Sequence, residues 1–101
     1  MTNELIDMAT LERVAPMIRA VAHPIRLRIL DFLEHEGGPR NVTQIADAAA
    51  APQAVVSQQL RILKDQHVLR AQRNGSFVLY QIEDASVLLL LQCIRRNQPR
   101  G

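Results

Sequence analysis

Features common in several other protein classes are scarce in this 101-residue chain. It has a single cysteine, Cys93, which excludes an internal disulfide framework and a cysteine-rich zinc site. Its longest uninterrupted apolar run, residues 87–91, has five residues, far fewer than the ~18–20 that a membrane span requires. The first thirty residues contain three acids and no signal-peptide pattern. These absences lead us to expect a cytoplasmic protein.

The sequence also lacks the arrangements that catalysis requires. It has no glycine-rich phosphate loop and no paired-carboxylate pattern. Ser57, Asp65 and His67 have the composition of a catalytic triad, but their predicted positions give no orienting geometry. We expect a single non-enzymatic domain over residues 1–97 and a disordered, frayed tail at residues 98–101. Because a core from about 100 residues is modest, pairing of two copies would be a natural supplement.

What the chain does have is an uneven distribution of charge. Residues 1–51 hold five arginines against seven acids, a net charge of −2. Residues 52–76 hold four basic residues against Asp65 alone, a net charge of +3. Eleven of the twelve basic residues are arginine, whose planar guanidinium suits phosphates and guanine edges. This concentration indicates either nucleic-acid binding or an ordinary solvated surface.

The apolar spacing in the first part of the chain predicts two helices. Residues 5–22 carry apolar positions at three- and four-residue steps, which indicates a helix that Pro16 kinks or breaks. Pro24 opens a second helix at a tolerated first-turn position, with Arg26 on its outer side. Residues 37–39, Gly-Gly-Pro, end that helix through a left-handed glycine.

A helix-turn-helix followed by a hairpin is predicted next. Thr43 is the expected cap of a short third helix, and a fourth helix follows over residues 52–66 with Pro52 as its first residue. Two β-prone runs on either side of residues 73–76 then predict a hairpin, or wing, because Asn-Gly is a strong turn signal. A last helix begins after a cap at Asp84 or Ser86.

The fourth helix carries the most informative pattern. Val56, Leu60 and Leu63 form an apolar stripe, and the opposite side contains no acid before Asp65. That opposite side consists of Gln53, Ala54, Ser57, Gln58, Arg61 and Lys64. Glutamine can read adenine, arginine can read guanine, and a helix of this kind fits the major groove. The alternative interpretation is a polar face that has no partner.

Three blocks of sequence carry a family resemblance: residues 22–30 (AHPIRLRIL), 56–64 (VSQQLRILK) and 73–80 (RNGSFVLY). Together they resemble the ArsR/SmtB family of dimeric bacterial winged-helix transcriptional repressors, over about residues 10–95. The resemblance implies a mainly α fold with a small β-hairpin, a winged helix-turn-helix of order α-α-α-α-β-β-α.

The resemblance also implies a function and a set of contacts. The chain would repress transcription as a homodimer on a palindromic operator in double-stranded DNA, through the 52–66 recognition helix and the 73–76 wing. The bases would face Gln53, Ala54, Ser57, Gln58 and Arg61, and the phosphates would be held by Thr43, Lys64, Arg73 and Asn74. The two subunits would meet at Leu5, Met8, Leu11, Leu88, Leu91 and Ile94. The alternative is a winged-helix module for protein interaction or dimerisation without DNA binding.

No metal site and no cofactor are predicted. Metal-sensing relatives of this family carry cysteines at the start of the third helix, where this chain has Asn41 and Thr43. Others use histidines on the last helix, and residues 84–97 contain none. The three histidines, His23, His35 and His67, show no ligand spacing. The inducing signal is therefore left open.

For His23, His67 and Cys93 the sequence predicts structural roles rather than metal-binding or redox roles. His23 is expected to pack or cap at the start of the second helix, and His67 to adopt left-handed backbone before the hairpin. Cys93 is expected to be a buried apolar thiol in a leucine-rich helix. A symmetric bridge between two copies of Cys93 would require Cα atoms within about 7 Å.

Overall fold

The computed structural model describes residues 4–99 and contains, in that range, five helices and one hairpin. The helices are α1 (Met8–Val21), α2 (Pro24–Glu36), α3 (Val42–Ala49), α4 (Gln53–Asp65) and α5 (Ser86–Arg96). The antiparallel hairpin consists of β1 (Leu69–Asn74) and β2 (Phe77–Ile82). This order confirms the predicted winged helix-turn-helix. Within residues 4–99 no helix has the length and apolarity to span a bilayer. Of the predicted tail, residues 100–101 lie outside the described residues.

One apolar core draws buried side chains from all five helices and from the start of β1. The contribution of α4 is Val56, Leu60 and Leu63, the predicted inner stripe. Fully burying one such side chain contributes ~1.5–3 kcal/mol, so this stripe decides which side of α4 faces inward. The opposite side of α4 is consequently turned to solvent.

The first helix differs from its prediction at two places. It begins at Met8, so Leu5 precedes the helix and lies exposed. It also continues through Pro16, and the predicted alternative of a break is therefore wrong. Proline removes one backbone donor, but the hydrogen bonds on either side keep the helix continuous.

The ends of α2 follow the local signals. Pro24 occupies the first turn, and His23 caps it, with the imidazole Nδ1 accepting a hydrogen bond from the Ile25 backbone N–H at 3.2 Å. This confirms the predicted capping role of His23. At the other end Gly37 has a φ of +74°, the left-handed conformation expected there.

Asn41, rather than the predicted Thr43, caps α3. The Asn41 side-chain oxygen accepts from the Gln44 backbone N–H at 3.0 Å, and the Gln44 side-chain oxygen accepts from the Asn41 backbone N–H at 2.9 Å. This reciprocal pair is a capping box. Thr43 is already the second helical residue, which leaves its hydroxyl free for another partner.

The capping box makes a stability prediction. Asn41→Ala should lower the free energy of unfolding by about 1 kcal/mol, because the Gln44 backbone N–H in the first turn of α3 loses its side-chain acceptor. Thr43→Ala is the matched control and should change it by less than about 0.5 kcal/mol. Urea denaturation of both variants checks this. Equal losses in the two variants would contradict the assignment of Asn41 as the cap.

The hairpin extends further than predicted. Asn74 pairs with Phe77 as the last rung, so only Gly75 and Ser76 remain in the loop, instead of four residues. Gly75 has a φ of +64°, which glycine adopts without steric cost. Before β1, His67 has a φ of +60°, and this confirms its predicted left-handed backbone.

The last helix packs against α2. Its N-cap position is Ala85, which makes no side-chain cap, so neither predicted cap, Asp84 or Ser86, occupies that position. Asp84, one residue earlier, accepts hydrogen bonds through its carboxylate from the backbone N–H and the hydroxyl of Ser86. Near the other end, Arg95 forms ion pairs with Asp31 and with Glu34, the latter at 3.0 Å. The hydrogen bond to Asp31 raises the pKa of the Arg95 guanidinium above its ordinary value. These pairs lie near the surface, so apolar packing rather than charge holds α5 in place.

Candidate nucleic-acid interface

The helix α4 presents its predicted recognition face to solvent. It begins at Gln53, one residue later than predicted, because Pro52 has extended backbone and occupies the N-cap position. The outward positions are all exposed: Gln53, Ala54, Ser57, Gln58, Arg61 and Lys64. No acid occurs on the helix before Asp65. The face therefore offers amide, hydroxyl and cationic groups, which suit base edges and phosphates.

The first turns of α3 and α4 are held side by side. The turn between these helices includes Ala50 in the left-handed region, with a φ of +54°. Across the turn, the Gln53 side-chain Nε2 donates a hydrogen bond to the Thr43 hydroxyl at 3.1 Å. A residue predicted to face bases thus contacts one predicted to hold a phosphate. Both are exposed, so the pair lies at the edge of the recognition face.

The wing is tied to the segment that precedes α3. Arg40 and Tyr80 exchange backbone hydrogen bonds of 3.1 and 2.8 Å, which fixes β2 beside the helix-turn-helix. A groove of about 250 Å³ remains between the wing and the helices. It is lined by Asn41, Val42, Thr43, Ser57, Ser76, Phe77, Val78 and Tyr80. Arg73 and Asn74 end β1 and are exposed, so the wing tip is free to approach a partner.

The side chain of Arg26 lies in a different environment from the one that its sequence position predicts. The prediction that it lies on the outer side of α2 is wrong, because its side chain is partly buried. Its guanidinium Nε donates to the Gln59 side-chain oxygen of α4 at 2.7 Å, and Nη1 donates to the Ala20 carbonyl of α1 at 2.9 Å. These contacts span up to 33 positions of sequence, and no local pattern reveals them.

A second surface, formed by α1 and α5, exposes apolar side chains. They are Met8, Leu11 and Ile18 of α1, Leu89, Leu90 and Ile94 of α5, and Leu5 and Ile6 just before α1. Four of the predicted interface residues are among them, and Leu88 is partly buried against the core. Leu91 is a correction: it is 3% exposed and packs in the core of its own chain. Val87 and Leu91 form the inner stripe of α5, so Leu89 and Leu90 replace Leu91 on the outer side.

Cys93 also differs from its prediction, since it is exposed rather than buried. At 100° per residue it lies between Leu89 and Leu90 on the outer side of α5. Between α1 and α5 lies a mainly apolar groove of about 560 Å³, with Met17 and Ile18 on one wall and Val87 and Leu90 on the other; Arg13, Asp84 and Ser86 also line it. An apolar groove of this kind is typical of a surface that another protein chain covers.

A metal site does not emerge from the described part of the chain. No three side chains of histidine, cysteine, aspartate or glutamate are grouped there so that they could hold an ion. The arrangement instead brings together one polar and basic face on α4, one wing and one apolar face on α1 and α5. These surfaces offer hydrogen-bonding, cationic and apolar groups with which the chain could bind other molecules.

Comparison with known proteins identifies the fold's family. The family model of a helix-turn-helix domain matches residues 21–70. The chain is 36% identical over 86 residues to the HTH-type transcriptional regulator NmtR of Mycobacterium tuberculosis, an alignment that covers 85% of this chain and 70% of NmtR. The chain belongs to the ArsR/SmtB family. This ArsR/SmtB protein is consequently related to transcriptional regulators rather than to enzymes.

Further comparisons agree. The ArsR/SmtB chain is 38% identical over 82 residues to the HTH-type transcriptional repressor SmtB of M. tuberculosis. That alignment covers 81% of this chain but only 56% of SmtB. Among solved structures, it resembles the homodimeric winged helix-turn-helix DNA-binding domain of Mb0332 from Mycobacterium bovis, a possible ArsR-family regulator. The TM-score is 0.74 at 31% identity, and the match covers 94% of this chain and 87% of that one.

Proposed function

We propose that this ArsR/SmtB chain is a cytoplasmic repressor that binds a partly palindromic operator in double-stranded DNA as a homodimer. The observation that carries the proposal is the exposed side of α4, which has no acid from Gln53 to Lys64. A surface helix that is merely solvated usually mixes acids with bases, whereas this side is neutral or basic. One domain, residues 1–97, supplies both the DNA-binding and the pairing surface.

The recognition helix and the wing would divide the contacts. The N-terminal part of α4 would enter the major groove, where Gln53, Ala54, Ser57 and Gln58 face base edges and Arg61 reads a guanine. Thr43 and Lys64 would hold phosphates beside the groove, and Arg73 and Asn74 of the wing would contact the backbone or the minor groove. Their exposure and the fixed position of the wing support this division.

The apolar face of α1 and α5 would pair two subunits. An isologous two-fold dimer places the two recognition helices in successive major grooves, about 34 Å apart. Two copies that cover the α1–α5 groove would also bury Leu89, Leu90 and Ile94, which a monomer leaves exposed. Operator occupancy would then exclude polymerase, as the resemblance to repressors of this family implies.

Selection of bound sequences from random duplexes, followed by fluorescence anisotropy at two salt concentrations, tests the proposal. We expect enrichment of paired half-sites and an affinity that falls linearly on a log–log plot against salt, because phosphate contacts release counterions. A winged-helix module for protein interaction or dimerisation would enrich no sequence and show no such salt dependence. That outcome would overturn the proposed function.

Removing the proposed phosphate contact of Arg73 in the wing should affect binding differently from removing a base contact. Arg73→Ala should weaken binding to specific and random duplexes alike and reduce the log–log salt slope by about 1, because one phosphate contact is lost. Arg96→Ala, at the far end of α5, is the matched control for removing one positive charge and should leave the slope unchanged. An unchanged slope for Arg73→Ala would count against a wing contact with the backbone.

A further inference from the structure

We propose that Arg26 is a positioning residue, one that fixes the recognition helix α4 relative to α1 and thereby sets the half-site spacing that the dimer accepts. This inference rests on the proposed function, since it requires a dimer that uses α4 on two half-sites. Arg26 itself does not belong to the exposed face of α4. It lies partly buried in α2, behind the recognition helix.

A single guanidinium joins three helices. From α2, Arg26 donates through Nε to the Gln59 side-chain oxygen of α4 at 2.7 Å and through Nη1 to the Ala20 backbone carbonyl of α1 at 2.9 Å. The planar, rigid fork of arginine holds both acceptors in a defined relative orientation. Lysine, a compact point charge on a flexible stem, would not impose that orientation.

The contact with α1 is favoured by the helix end. Ala20 lies in the last turn of α1, where backbone carbonyls lack partners within the helix and carry partial negative charge. A cation placed there satisfies one of these carbonyls. Hydrogen bonds with an ionised donor are shorter and stronger than neutral ones. Both acceptors of Arg26 are neutral oxygens, so the bonds orient helices rather than neutralise an acid.

The hydrogen bond from Arg26 to α4 restricts a motion that apolar packing leaves possible, the rotation of α4 about its own axis. Val56, Leu60 and Leu63 keep α4 against the core, but the hydrophobic effect is non-directional and tolerates a small rotation of the helix about its axis. The directional bond from Arg26 to Gln59 opposes that rotation. Gln59 is adjacent to Gln58, which belongs to the exposed face, so a rotation at one position moves the other. The bond therefore fixes the direction in which the recognition face points.

Arg26 also connects the two proposed surfaces. The helix α1 carries Met8, Leu11 and Ile18 on the apolar face that would pair the subunits. Fixing α4 to the end of α1 fixes each recognition helix relative to the two-fold axis. In a dimer, this sets the distance and the phase between the two recognition helices, and with them the separation of half-sites that both can occupy.

The test compares affinities for three duplexes derived from the selected operator, with half-sites at the natural spacing and one base pair closer or further apart. The variants are Arg26→Met, which keeps the side-chain volume without the donors, and Gln59→Met, which leaves the Arg26–Ala20 bond in place. Arg28→Met is the matched control, since Arg28 is an exposed arginine on the same helix.

We expect wild type and Arg28→Met to prefer the natural spacing clearly. Arg26→Met and Gln59→Met should lose about tenfold in affinity at that spacing, the effect of one hydrogen bond to a charged group, and their affinities for the three spacings should converge. The double variant should lose no more than the larger single loss, because both changes remove the same contact.

The outcomes separate this inference from the proposed function. Failure of wild type to bind any selected duplex would overturn the proposed function itself. If wild type discriminates between spacings and both variants retain that preference, the positioning role is wrong, even if their thermal stability falls. If Arg26→Met does not fold, Gln59→Met decides, because it removes the bond to α4 alone.

Discussion

Arg61→Ala should lower the affinity for the operator by roughly 5- to 150-fold and relax the preference at a single base position. The reason is that arginine binds guanine O6 and N7 with two hydrogen bonds, a pair worth ~1–3 kcal/mol of discrimination. Arg61 is exposed near the middle of α4, beyond the turn that Gln53 and Thr43 hold in place. Binding of the variant to a panel of singly substituted operators measures both effects.

Arg61→Lys distinguishes base reading from charge. Lysine keeps the positive charge but cannot make the two-pronged contact, so we expect the salt slope of wild type together with most of the lost discrimination. If Arg61→Ala loses equally on operator and on random DNA while Arg61→Lys loses little on either, Arg61 contacts a phosphate rather than a base. In that case the base-reading role of this part of α4 would be wrong.

Leu90→Asp should convert the protein to a monomer and reduce operator affinity at least about 100-fold, because a monomer loses the advantage of binding two linked half-sites. Leu90 is 37% exposed and lines the groove between α1 and α5, where a second copy would remove the new carboxylate from water among apolar side chains. Sedimentation velocity gives the oligomeric state, and anisotropy gives the affinity.

His35→Asp is the control, since His35 is exposed on α2 and does not line the groove between α1 and α5. It should remain dimeric and bind normally. Ile18→Asp, on the opposite wall of the groove, should reproduce the effect of Leu90→Asp. Agreement between the two variants would exclude local disruption of α5 as the cause of dissociation. Circular dichroism verifies folding. A folded monomer that binds the full operator as tightly as wild type would contradict the pairing role of this surface.

The parts of the fold that the sequence predicted correctly depend on local signals. The inner stripe of α4 follows from apolar residues at helical spacing, and the exposure of the opposite side follows from that stripe. Pro24 and Gly37 mark the ends of α2 through backbone preferences that need no tertiary partner. The cap of α3 had a readable signal too, because Asn41 is followed three residues later by Gln44, the pattern of a capping box.

The parts that the sequence could not predict depend on tertiary contacts. Four consecutive leucines place an apolar side chain on every side of α5, so periodicity could not tell that Leu91 faces the core and Leu89 faces outward. The exposure of Cys93 follows from the same orientation. The burial of Arg26 depends on Gln59, 33 residues away, and only the packing of α2 against α4 brings the two together.

Methylation interference on the selected operator tests most directly whether the acid-free side of α4 occupies the major groove. Methylation of guanine N7 blocks a major-groove position, whereas methylation of adenine N3 blocks the minor groove. We expect N7 methylation to prevent binding at two clusters of guanines about one helical turn apart, and Arg61→Ala to lose the interference at one guanine in each cluster. Interference confined to adenine N3, or none at any base, would contradict the placement of α4 in the major groove.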